Sequence, residues 1–166
     1  MPILKEYLGI AAEYAVASEL CRRGIYAQLT FGNRKRTDIL VMTQNGDFLR
    51  LEVKAKQDKA WPNCKGISGK NVFLVLVDYA DRDAKERPDF YVLGSGDWRN
   101  LVRRIVKETK EKTPKVRIEI NGENCPIFLD QITKSGHPYK GLSFGARRVQ
   151  EHREKWDKIV GALTSG

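Results

Sequence analysis

Phe48-Leu49-Arg50-Leu51-Glu52-Val53-Lys54-Ala55-Lys56 alternates almost without a break. Leu49, Leu51, Val53 and Ala55 fall on one side, and Arg50, Glu52, Lys54 and Lys56 on the other. Successive side chains of an extended strand point to opposite faces of a sheet, so a period of two predicts a strand with one apolar and one polar face. It is the clearest pattern in the 166-residue chain. The same spacing sets Glu52 and Lys54 side by side on one face.

Working outward, Asn45-Gly46 is a strong hairpin-turn signal and predicts an antiparallel partner strand over 37–43. That hairpin brings Asp38 back beside Glu52, from which 13 residues (39 to 51) separate it. Further upstream lie the basic loop Gly32-Asn33-Arg34-Lys35-Arg36 and a short strand over 25–30. Before these, a helix is expected over 4–23, with an apolar stripe through Leu4, Leu8, Ala12, Val16 and Leu20. Its alanines permit close packing on a sheet, and Gly24 stops it. Downstream, 61–70 reads as a loop, 71–79 as a central strand buried on both faces, and 89–93 as another strand. Ser95 caps a predicted helix reaching about residue 110. A peripheral hairpin over 116–120 and 126–129, a basic glycine-bearing loop and a last helix over 147–163 complete the chain. With no repeat and no dividing linker, residues 1–166 are expected to form a single α/β domain, a central mixed β-sheet flanked by helices.

Composition narrows the function. Thirty Lys+Arg against 21 Asp+Glu give a formal charge of +9. Such an excess suits a polyanionic partner, whose phosphates it neutralises with release of counterions. Cys21, Cys64 and Cys125 lie far apart without a CxxC pair, and only His137 and His152 are histidines. A disulfide framework and a zinc site are both disfavoured. The apolar run 72–77 is too short to span a bilayer, and the first residues hold no signal-peptide core. A cytoplasmic protein without membrane contact is the expectation.

Glu52 can bind a hard cation through its carboxylate, the Val53 carbonyl offers a further oxygen, and Asp38 can approach across the hairpin. Carboxylates, a carbonyl and waters match what Mg²⁺ prefers. Lys54 beside them stabilises charge or orients a water. Bland readings exist for each residue. Glu52 and Lys54 fit a solvated strand face with cross-strand ion pairs, each contributing roughly 0.2–1 kcal/mol. Glu13 fits a surface glutamate, although it sits among alanines on a closely packing helix, where an unpaired carboxylate is costly. Trp61 and Trp98 read as packing residues. Gly66-Ile67-Ser68-Gly69-Lys70 lacks the spacing of a phosphate loop and precedes its strand.

On Thr37-Asp38 followed by Glu52-Val53-Lys54, the chain resembles the PD-(D/E)XK nuclease superfamily, with Thr37 in place of the proline of the motif. Gly9-x-x-x-Glu13 followed by Gly24 is similar to the opening helix of archaeal Holliday junction resolvases. The resemblance covers about residues 5–80. It implies a restriction-endonuclease-like core and an Mg²⁺- or Mn²⁺-dependent endonuclease. Glu13, Asp38, Glu52 and Lys54 would be catalytic, with metal held by Asp38, Glu52, the Val53 carbonyl and Glu13. Arg34, Lys35, Arg36 and Lys56 are the candidate nucleic-acid contacts. DNA is the expected partner, with RNA and a homodimer left open, as are branched, linear and sequence-specific substrates. The rivals are a nuclease-like fold that binds nucleic acid without cutting and an assembly protein with a charged exterior.

Overall fold

The computed structural model describes residues 3–30 and 37–164. Strand β3 (Phe48–Lys56) follows its alternation, with Leu49 and Leu51 wholly buried. The hairpin at Gly46 pairs it with β2 (Ile39–Met42), in the register Ile39 with Leu51 and Val41 with Leu49. β2 pairs in turn with β1 (Ala27–Leu29). On the other side β3 runs parallel to β5 (Val72–Asp78), which pairs antiparallel with β6 (Asp89–Gly94). The main sheet has the order β1-β2-β3-β5-β6, and all seven residues of β5 are buried, as its continuous apolar run demands.

Helix α1 (Lys5–Arg22) lies on one face of this sheet, where Ala12, Val16 and Leu20 meet Ile39, Val41, Leu49 and Leu51. Ile159 of α3 (Asp157–Thr164) and Trp156 just before it join the same core. Helix α2 (Ser95–Lys112) covers the β5–β6 side of the opposite face with Trp98, Leu101, Val102 and Val106. A mixed α/β architecture with a central mixed sheet flanked by helices results, as expected.

Three expectations are corrected. Residues 61–64, read as loop, form β4 (Trp61–Cys64), which pairs with β10 (Leu142–Phe144), while β7 (Ile118–Ile120), β8 (Pro126–Ile132) and β9 (Pro138–Lys140) build a further small sheet. Gly94, not Ser95, caps α2. The Asp97 carboxylate accepts the Gly94 N–H at 2.9 Å, and the Ser95 hydroxyl donates instead to the Gly69 carbonyl. The last helix is broken into a 3-10 helix (Ala146–His152) and α3. Between them Arg153 bridges to Tyr91, and the Glu154 N–H donates to the Phe90 carbonyl at 2.9 Å. Here the chain gives up helical bonds to pair with the edge of β6.

Candidate active site

Asp38 stands where β1, β2 and β3 meet. Its N–H donates to the Leu51 carbonyl and its own carbonyl accepts the Thr30 N–H, each at 2.9 Å. With the backbone clamped on both sides, the carboxylate reaches β3 and accepts the Val53 N–H through Oδ2 at 2.6 Å. A short bond of this kind, N–H to carboxylate, is the stronger charge-assisted type. It fixes Asp38 against the peptide between Glu52 and Lys54.

From the facing helix comes Glu13. Burial is the first cause that lifts its carboxyl above the usual range, and the negative charge of Asp38 the second, with Lys54 pulling the other way. These three groups therefore share one local field. They line a cleft of about 510 Å³ together with Gly9 of α1 and Val53 of β3.

Lys54 is half-exposed, and its Nζ lies 3.3 Å from Oε1 of the buried Glu52. Glu52 does not line the cleft of Asp38. It faces a smaller depression, bounded by Arg50, residues 66–68 and Glu123. The strand register puts Asp38 opposite Glu52, but the Asp38 carboxylate turns toward the Val53 N–H. Lys54 thus connects Glu52 to the Glu13–Asp38 side. Behind it Cys64 is buried, and its thiol is pushed up to about 12, with Lys54 opposing and Glu52 reinforcing the effect of burial. Such a thiol is chemically inert at neutral pH.

Lys56, expected to meet nucleic acid, is corrected. It is 5% exposed, with Nζ at 2.5 Å from Asp78 Oδ1 and 3.1 Å from the Asp58 carbonyl. It also lies 4.9 Å from the centre of the Trp61 ring. This is a structural cation, covered because β4 folds over the polar face of β3. Its partner Asp78 went unread in the sequence, although the end of an apolar strand is the place where a parallel neighbour meets a buried lysine. Trp61 and Trp98 are packing residues as expected, fully buried with their indole N–H groups donating to the Val77 and Asn124 carbonyls. Arg34, Lys35 and Arg36 lie outside the described residues. Sequence reading also passed over an exposed cationic row on α2, Arg99, Arg103 and Lys107, whose spacing of four is plain in the chain.

Among the described residues no group of three or more His, Cys, Asp or Glu side chains is close enough to hold a metal ion. Magnesium sites commonly use one or two carboxylates, with waters and substrate phosphate completing the shell. Glu13 and Asp38, two carboxylates lining one cleft, fit that need. Among the described residues no helix is long and apolar enough to cross a membrane.

No protein family matches the chain, and no curated protein does. A solved structure of a bacterial homing endonuclease is similar over 95% of this chain and 93% of its own, at 19% identity and a TM-score of 0.44.

Proposed function

We propose that this protein is a metal-dependent nuclease of the PD-(D/E)XK type that hydrolyses phosphodiester bonds in DNA. The observation that carries the reading is Asp38, pinned by its carboxylate to the Val53 N–H beside Lys54 and facing Glu13 across one cleft. Asp38 and Glu13, with the Val53 carbonyl, would hold Mg²⁺ or Mn²⁺, while Glu52 acts through Lys54. When bound, such an ion polarises the phosphate and supplies a bound water of lowered pKa.

The protein's own residues do the rest. Lys54 presents its ammonium to the phosphate oxygens or to the attacking water, where a fixed cation stabilises the charge that develops. Glu52 holds that ammonium in place from the buried side. Burial and the nearby Asp38 charge raise the cost of ionising Glu13, a cost that a bound cation would offset. The segment Arg34-Lys35-Arg36, which joins β1 to β2 at the Asp38 end, would hold the phosphate backbone.

Incubation with supercoiled, single-stranded and four-way-junction DNA, in Mg²⁺ and in EDTA, tests the reading. Cleavage is expected in Mg²⁺ alone. Lys54→Ala should keep the melting temperature and DNA binding while losing about 10²-fold or more in rate, the usual effect of deleting a transition-state charge contact. Asp38→Asn should abolish cleavage and the Mg²⁺-dependent rise in melting temperature, because an ion that binds only the folded protein stabilises it by mass action. Activity of Lys54→Ala within about threefold of wild type would overturn the assignment. Binding without cutting by the intact protein would make it a nucleic-acid-binding relative of the fold.

A further inference from the structure

Tyr26, Met42 and Phe48 are 72%, 60% and 54% exposed. They are also neighbours. Met42 pairs with Phe48 across the hairpin, and Tyr26 directly precedes Ala27, which pairs with Val41. Val41 and Leu49 are buried toward α1, as is Ile25, so the alternation turns Tyr26, Met42 and Phe48 to the opposite face. There α2 covers β5 and β6, and the three residues form an open apolar row across β1, β2 and β3.

The next row on this face is Gln28, Leu40 and Arg50, in register. Arg50 is exposed. One row further comes Asp38 opposite Glu52, and then Lys54. From Phe48 to Glu52 is four residues, about 13 Å at the rise of a strand. Two aromatic rings and an exposed guanidinium thus lie on the strands that carry Lys54 and lead from Asp38.

We propose that this row is a stacking platform for the unpaired bases of a single-stranded segment of the nucleic acid whose backbone enters the Asp38–Lys54 cleft. The proposal rests on the nuclease reading and names its substrate class, DNA with an unpaired stretch next to the scissile bond. Three features favour this occupant over a protein. The chain carries +9, Arg50 offers its charge beside the rings, and the strands that carry the row also carry Lys54 and lead from Asp38. Exposed aromatic rings accept any base face, whereas bases inside a duplex are already stacked on each other.

The test is anisotropy of a labelled oligothymidylate and of a hairpin duplex of equal length, both in EDTA so that nothing is cut. Tyr26→Ala and Phe48→Ala should each weaken single-strand binding by at least about fivefold, the lower end of what one stacked base is worth. Duplex binding should change by less than about twofold, and the slope of log affinity against log salt should stay, since no charge is removed. Phe48→Leu should be as poor as Phe48→Ala, while Phe48→Trp should bind like wild type. Melting curves of all variants should coincide within about 2 °C, as expected for exposed positions. Full binding by Phe48→Leu, or unaltered binding by both alanine variants, would overturn the platform. So would a wild-type dimer in sedimentation that Phe48→Ala dissociates, which would give the row to self-association. Failure of the wild type to cut any DNA in Mg²⁺ would sink the nuclease reading instead, and it is read in a separate assay.

Discussion

Glu13 sits on a helix that buries Ala12 and Val16 beside it, and it faces Asp38 across the cleft. Its carboxyl is held above the usual range by burial first and by Asp38 second. A carboxyl whose folded pKa exceeds its unfolded value contributes stability that is fully present below the unfolded pKa. That contribution is lost as pH rises through the folded pKa. At pH 7 the ionised Glu13 therefore costs stability, and Glu13→Gln should raise the melting temperature in EDTA by about 1–3 °C. The gain should shrink to nothing by about pH 4, near the ordinary glutamate range. In excess Mg²⁺ the order should reverse, because the variant has lost a ligand. A glutamine variant that melts below wild type in EDTA at pH 7 would show that Glu13 is not under this strain. At this scale alternation and helix spacing were enough to place the side chains of Glu13 and Lys54 at one cleft. It misled at Lys56, because nothing in a strand's own pattern says that a distant strand will cover its polar end.

Elements made by local rules were visible in the chain; elements made by remote partners were not. The nine-residue β3 and the Asn45-Gly46 hairpin carry their own signals, and both are present. β4 carries almost none. Trp61-Pro62-Asn63-Cys64 is a strand because Trp61 and Cys64 are buried and because β10 lies alongside, some eighty residues later. The turn after it depends on Gly66, which has φ +79° and whose Cβ, were there one, would lie 1.8 Å from the Trp98 indole nitrogen. Trp98 cannot retreat, since it is fully buried and its N–H is bonded to the Asn124 carbonyl at 3.0 Å. Gly66→Ala thus adds overpacking of about 1–3 kcal/mol to a left-handed backbone penalty of about 1–2 kcal/mol. A fall in melting temperature of at least about 5 °C is expected, with Trp98 emission shifted toward that of an exposed indole. A variant that melts like wild type would mean that this turn does not hold α2 on the sheet.

The whole molecule is tied together by a charge cluster at the far end of α1 from the cleft. Glu19, nearly buried, accepts from Arg23 Nη1 at 2.6 Å and from Arg87 Nε and Nη2 at 2.9 and 2.8 Å. Arg87 also donates twice to Glu154, at 2.8 and 2.9 Å, and Glu154 accepts the Trp156 indole N–H at 2.9 Å. Arg23 in turn lies over the Trp156 ring at 4.7 Å. Three stretches distant in sequence meet here: the end of α1, the connector between β5 and β6, and the segment that leads into α3. Arg87 chiefly, then Arg23, draws the Glu19 carboxyl down to about 2 against the cost of its burial. A depressed carboxyl contributes stability that is present above its unfolded pKa of about 4.3 and is lost as pH falls through the folded value. Glu19→Gln should therefore cost about 2–3 kcal/mol at pH 7, and wild type and variant should converge between about pH 4 and pH 2. Urea unfolding of both proteins at pH 7, 5 and 3 measures this. Because α1 also carries Glu13, the loosened helix should weaken the Mg²⁺-dependent rise in melting temperature, although Glu19 touches nothing in the cleft. Equal stability at pH 7 would show that Arg87 is satisfied by Glu154 alone, and that packing of Ala12, Val16 and Leu20 is enough to seat α1 on the sheet.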